Sequence, residues 1–325
     1  MKDKIAIFCS GDEGYIPNMI SALLIACKYN SNFDPWIITD ASEEGVEKFE
    51  RLGISSLKVD LKDDINGYIN DQWPSHSFWW HIGPKMLHEK GYKYSIFIDA
   101  DVYCIRKIDT SLFNEDLEIA ARSGDIENKF NSGVILFNNE KMVDMNLDEE
   151  FMKAYQKMAT PEYIQWHGGS VHDQQVLCAM GKNNNYSEFL GYDGIFDLKN
   201  LDMTWNYQFN IIPGKITNED LIQKDYSTLK KEINFVHFLL SRPWLPYENW
   251  GSGNHGLFHS NDFPEFNFSK GFVVNKREKE PHPETRIQFV NDWRNEAREI
   301  ENKYEVELFD EFDDLSVLIK EGSFI

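Results

Sequence analysis

The chain is short of cysteine, of basic charge and of long apolar runs, and each shortage removes a class of function. Its four cysteines, Cys9, Cys27, Cys104 and Cys178, are widely spread and form no CxxC pair. That spacing reads as buried, reduced thiols, not as a disulfide framework or a zinc site. Basic residues number 33 against 54 acidic ones, for a formal charge of −21. Such a surface repels phosphate backbones and anionic lipid, so no nucleic-acid partner is expected. No apolar stretch approaches the roughly 20 residues that span a bilayer, so no integral membrane segment is expected. A strand follows Met1 too closely to leave room for a signal sequence, and the protein is expected to be soluble and cytoplasmic. GxGxxG is missing, which removes the dinucleotide-binding fingerprint; GxxxxGK(S/T) is missing too, which removes the commonest ATPase reading. Repeats and low-complexity segments are also lacking.

What remains is an ordinary globular composition, long enough at 325 residues for one large domain or two smaller ones. Aromatics reach 14%. Most of these rings suit a core, but aromatic faces also suit a sugar cleft, so the excess is compatible with a glycan ligand. Lys4–Ser10 reads as a buried strand, followed by a helix from about Tyr15 to Tyr29 with Pro17 tolerated in its first turn. A strand at Pro35–Thr39, a helix at Ser42–Leu52 and a strand at Ile54–Val59 follow. This alternation predicts an α/β fold with a mostly parallel sheet. Further strands are expected at Leu117–Ala121, Gly133–Asn138 and Ile233–Phe238, and a single helix over Lys141–Met158. A charged helical pattern from Glu284 to about Lys303, and a second near Phe312–Ile319, form a C-terminal extension. The expected organisation is one domain over 1–275 with a helical extension over 276–325.

The segment Tyr94–Arg106, YSIFIDADVYCIR, carries the most chemistry. Ile96, Phe97 and Ile98 form an apolar run that stops at Asp99 and Asp101. Ligands of α/β sheets bind at the carboxyl ends of the strands, and two neighbouring carboxylates are favourable mainly when they share a cation. A chain this acidic also supplies a DxD by chance, as a solvated turn in which Asp caps backbone amides. A phosphatase of the haloacid-dehalogenase type would need Thr or Val where Tyr103 stands, and would carry its motif on the first strand.

Four other segments offer binding chemistry. In Cys9–Tyr15, Asp12 can accept from a base N–H and Tyr15 can stack on the base; equally, Asp12 can be a helix cap. In FNSGVILFN, Asn131 and Ser132 offer directional neutral groups suited to sugar hydroxyls, or simply a turn before a strand. In HDQQ, from His172, Asp173 suits either a helix cap or a sugar hydroxyl. In NFVHFLLSRPW, His237 suits either a buried core position or, with two carboxylates, a mixed N/O site of the kind Mn²⁺ accepts. Arg242 could then neutralise a diphosphate by a bidentate contact.

Together and in this order, these segments resemble glycosyltransferase family 8 and its relatives of the GT-A fold, from Ile5 to about Trp244. The resemblance implies a Rossmann-like, mixed and mostly parallel sheet flanked by helices. It implies Asp99, Asp101 and His237 as ligands of Mn²⁺ (or Mg²⁺), and Asp12 and Tyr15 as nucleotide contacts. Asn131, Ser132 and the Asp173–Gln174 pair become sugar contacts, and Trp205–Asn206 matches an aromatic–Asn segment. Lys85 falls in the region of a basic diphosphate-binding residue. The implied activity is retaining transfer of a hexose from a nucleotide sugar, UDP-linked by resemblance, to a glycan, lipid-linked or protein acceptor. No clear carboxylate nucleophile for a double displacement stands out. Front-face attack, with Gln174 beside the oxocarbenium-like centre, is therefore favoured. The usual HFxGxxKPW ending is changed here: Leu239 and Leu240 replace the Gly region, the spacing is one residue shorter and Arg242 stands for Lys. The alternative is a catalytically inactive nucleotide-sugar or glycan-binding protein on the same fold.

Overall fold

A computed structural model describes residues 4–59, 75–123, 130–163, 171, 173–182, 191, 194–208, 224–238, 243–244 and 283–313. The chain divides into two compact units, Met1–Ala100 with Lys107–Asp202, and Asp101–Arg106 with Met203–Ile325.

The first unit is a layered α/β structure. Its strands are β1 (Ile5–Ser10), β2 (Phe33–Thr39), β3 (Ser55–Lys58), β4 (Tyr94–Ile98), β6 (Ile119–Ser123), β7 (Phe130–Asn138) and β8 (Leu198–Leu201). They form one sheet in the order β3-β2-β1-β4-β7-β6-β8. β3, β2, β1 and β4 run parallel, β7 lies antiparallel between β4 and β6, and β8 is parallel to β6. β1 and β4 are apolar along almost their whole length because both faces are covered, which is the expectation for central parallel strands.

Helix α1 (Ile16–Tyr29) starts with Pro17 in its first turn, where a missing amide proton costs nothing, and buries most of its residues. It ends at Asn30, whose side chain donates to the Ala26 carbonyl and accepts from Ile108 N at 2.7 Å. Helix α2 (Glu43–Arg51) is capped by Ser42, which accepts from Gly45 N at 3.2 Å. Helix α3 (Gly83–Glu89) follows a 3-10 turn at Ser75–His81 and leads into β4.

The helix expected over Lys141–Met158 is two helices, α4 (Asn139–Asp144) and α5 (Leu147–Met158). Asn146 breaks them apart in the left-handed conformation, φ 51°, which Asn tolerates better than most residues. Asp148, Glu149 and Glu150 then fill the first turn of α5, where the helix dipole favours them. A second correction concerns Asn131 and Ser132: they lie inside β7, not in a turn before it. Helix α6 (Asp173–Met180) completes the described elements near the sheet. β8 was not expected from sequence, since its LKNL has two polar residues out of four and sits at the sheet edge.

The second unit holds a small sheet, β5 (Val102–Cys104), β10 (Phe235–His237) and β9 (Tyr207–Gln208), in the order β5-β10-β9. β10 pairs antiparallel with β5, His237 facing Val102, and parallel with β9. Helices α7 (Tyr226–Glu232) and α8 (Pro283–Tyr304) belong to this unit. Around α8, Trp293, Phe309 and Phe312 pack together, and Glu301 accepts from Leu308 N and Phe309 N. The expected boundary at 275/276 and most of the helix expected near Phe312–Ile319 lie outside the described residues. Among the described residues, no helix is long and apolar enough to cross a membrane.

Candidate functional site

The order β2-β1-β4 places a topological switch in the first unit: successive strands move outward from β1 to β3, and β4 then returns to the other side of β1. In open α/β sheets a crevice forms at the carboxyl ends of the strands flanking such a switch. The segments leaving those ends are Gly11–Tyr15 after β1 and Asp99 after β4. Asp99 is held there by its backbone, N to Gly133 O at 3.0 Å, which sets it beside the Asn131–Gly133 stretch of β7. Asp12 Oδ1 accepts from Gly14 N at 2.9 Å and so caps the turn Glu13–Tyr15, while Tyr15 is half-buried.

The sugar-type contacts predicted from sequence do come together. Asn131 Nδ2 donates to Gln174 Oε1 at 3.0 Å, and Asn131 Oδ1 accepts from Gly133 N at 3.0 Å. Ser132 donates to the Asp173 carboxylate. Asp173 is pushed above the usual carboxylate range by loss of water; hydrogen bonds from Ser132, from the Gln174 amide and from Trp80 partly offset that cost. Lys85, in contrast, is exposed, and its ammonium is committed to Asp148 Oδ2 at 2.6 Å. A diphosphate would have to compete with that carboxylate. Arg242, Leu239, Leu240 and His172 lie outside the described residues.

In the second unit the β5–β10 register explains how His237 reaches Asp101. Pairing of His237 with Val102, and the bond from Phe238 N to Asp101 O at 3.1 Å, bring its ring to Asp101. His237 Nε2 stands 3.1 Å from Asp101 Oδ1, with the imidazole buried. Its Nδ1 faces Asn206 Oδ1 at 3.1 Å, and Gln208 Nε2 donates to that same oxygen at 3.4 Å. Asn206 presents an acceptor to Nδ1, so the neutral imidazole with its proton there turns the Nε2 lone pair toward Asp101, whereas the imidazolium would donate to that carboxylate. An outer hydrogen bond on Nδ1 is what metal-ligating histidines ordinarily have. Asp99, Asp101 and His237 each offer one ligand atom, and those atoms all lie within 4.8 Å of one another. The donor set of two carboxylates and one imidazole thus fits a hard or borderline divalent ion.

Sequence reasoning gave the stretch from about Ser75 to the Asp99 strand as a helix and assigned no site role to the turn Ser75–His81. Trp80 Nε1 from this turn donates to Asp173 Oδ2 at 3.2 Å. His81 stacks on Phe151, ring centroids 3.9 Å apart and 6° from parallel. Burial pushes the His81 imidazole down to about 4, outweighing a bond to the Phe78 carbonyl that acts the other way. The unfolded chain takes up this proton near pH 6.5 and the folded one does not, so stability is complete above that pH. It falls by on the order of 3 kcal/mol as pH drops toward about 4, and the loss then levels off. Urea midpoints at about pH 7 and about pH 5 should therefore differ less for His81→Gln than for the parent. An unchanged difference would contradict the assignment.

Comparisons with known proteins bear on the fold. No family profile matches the sequence, and no curated protein does. Solved structures do match by fold. The galactosyltransferase LgtC, in complex with donor and acceptor sugar analogues, superposes with a TM-score of 0.51 at 14% identity, over 76% of this chain and 92% of that one. An active-site mutant of LgtC gives 0.52 at 13% identity, over 80% and 94%. The glycosyltransferase GlyE of Streptococcus pneumoniae TIGR4 gives 0.50 at 17% identity, over 93% of this chain and 64% of that one. The fold expected from sequence, a GT-A α/β architecture, is the fold the chain has.

Proposed function

We propose that this protein is a metal-dependent glycosyltransferase that moves a hexose from a nucleotide sugar to a hydroxyl acceptor. The observation that carries this reading is the Asp99, Asp101 and His237 group, with Asp99 at the carboxyl end of β4, in a chain whose fold matches solved glycosyltransferases. A nucleoside diphosphate is a good leaving group once its charge is neutralised, and a divalent ion held by these three residues would supply that neutralisation. Mn²⁺ suits the N/O donor set, and Mg²⁺ is the second choice.

The residues of the first unit have distinct tasks in this reading. Asp12 and Tyr15 hold the base at the carboxyl end of β1, and Asn131, Ser132 and Asp173 hold the sugar hydroxyls. Gln174, fixed by Asn131, lies beside the anomeric carbon. An amide there stabilises positive charge without forming a bond to carbon. Asp173 already accepts from Ser132, Trp80 and the Gln174 amide, so its lone pairs serve hydrogen bonds and not nucleophilic attack. The reading is therefore a retaining transfer in which the departing phosphate oxygen takes the acceptor proton. The donor is UDP-linked and the acceptor a glycan, a lipid-linked sugar or a protein.

A thermal-shift screen of nucleotide sugars, with and without Mn²⁺, tests the donor. A ligand at about 100 times its dissociation constant stabilises the folded state by about 2.7 kcal/mol, enough to rank donors. Mn²⁺-dependent hydrolysis of the best donor then tests chemistry. Binding without turnover of any donor would make the protein a nucleotide-sugar-binding module on the same fold. No shift with any nucleotide sugar would overturn the reading.

A further inference from the structure

Trp80 lies in the turn Ser75–His81, which contributes none of the residues assigned to metal, nucleotide or sugar. Its side chain is fully buried. Phe137 stacks on it at 6.2 Å and 21°, and Phe151 meets it edge-on at 5.2 Å and 86°. Clamped between those rings, the indole has little freedom to turn. Its N–H is spent on Asp173 Oδ2. Buried tryptophans usually find a partner for this proton, and the choice of partner is informative: here it is a carboxylate at the head of α6, next to Gln174.

A carboxylate rotates in a broad, shallow torsional well about its last bond, so a single donor leaves its lone pairs loosely aimed. Asp173 has side-chain donors from two elements, Trp80 from the turn and Ser132 from β7. The neighbouring Gln174 is tied in turn to Asn131, also from β7. A rigid aromatic cluster thereby fixes the direction of a polar pair at the candidate site before any ligand arrives. Preorganisation of this kind acts on the transition state more than on ground-state binding.

We infer that Trp80 is a positioning residue for sugar transfer, orienting the Asp173 carboxylate and, through it, the Asp173–Gln174 pair. The inference rests on the reading of those two residues given above. Trp80→Phe keeps a flat ring and deletes the donor. With the best nucleotide sugar and Mn²⁺, kcat should fall on the order of tenfold while the donor KM stays within about twofold. A variant with the parent kcat would overturn the inference. So would a variant whose loss lies wholly in KM.

Nitrogen-15 spectra of the indole groups give a second measurement that does not depend on the Trp80→Phe variant folding. In Asp173→Asn, one indole N–H resonance should move upfield, because a neutral acceptor replaces a charged one. The same resonance should respond when the parent protein binds nucleotide sugar. No moving resonance in either experiment would overturn the inference. A parent protein inert toward every donor overturns the proposed function itself. An active parent with an unaltered Trp80→Phe overturns only the role of Trp80.

Discussion

Asp101→Asn should lower metal-dependent turnover of the nucleotide sugar by about a thousandfold or more, because the charge stabilisation a metal supplies amounts to several kcal/mol. The protein should remain folded. The amide matches the carboxylate in size, and its N–H₂ can donate to the His237 lone pair that the carboxylate oxygen faces at 3.1 Å. The backbone bond from Phe238 N to Asp101 O is untouched by the change. Two readouts separate the metal from the chemistry: free Mn²⁺ by electron paramagnetic resonance, and donor hydrolysis across a Mn²⁺ titration. Weakened ion binding together with lost turnover is the expected pair. Near-parental turnover at ordinary Mn²⁺ would remove Asp101 from the ligand set.

Phe151→Ala should cost about 3–5 kcal/mol, a large share of the roughly 5–15 kcal/mol by which domains are stable. Phe151 is fully buried on α5 and touches three rings of the Ser75–His81 turn: Phe78 at 6.2 Å, Trp80 at 5.2 Å and His81 at 3.9 Å. Truncation removes the ring's own burial and leaves a cavity that this packed cluster can fill only in part. Urea unfolding, followed in the near-ultraviolet where the tryptophans report, measures the loss. A cost below about 1 kcal/mol would mean that the cluster is loosely packed and that Trp80 is not clamped. The substitution should also reduce kcat in the molecules that stay folded, since it frees the indole that holds Asp173.

Much of this architecture is legible in the residues. KIAIFCS, PWIIT and YSIFI announce themselves as strands because both of their faces are covered, and the 3.6-residue periodicity between them marks the helices. Asp99 and Asp101 are legible because two charges end an apolar run. The sequence hides features whose cause is distant or small. Nothing near Trp80 announces a partner 93 positions away. Asn146 looked like one more residue of a helix until its left-handed backbone divided α4 from α5. His237 meets Asp101 through the register of β5 and β10, a pairing that no local pattern encodes; the residues alone left His237 open between a core position and a metal ligand, and the family resemblance chose the ligand. Asn206 stood out as part of a motif, but its contact with His237 Nδ1 comes from the small sheet.

That small sheet also has a bearing on how the protein is born. Asp99 ends a strand whose neighbours include β1, so its surroundings begin to form when the first hundred residues have left the ribosome. Asp101 gains His237 only when β10 closes on β5, joining Val102 to His237 across most of the chain's middle. Closing a long loop carries a larger entropy cost than closing a short one, and pairings of this kind slow folding. The Asp99, Asp101 and His237 group is therefore complete only once β10 has paired with β5, and a nascent chain carries the two aspartates long before it carries His237.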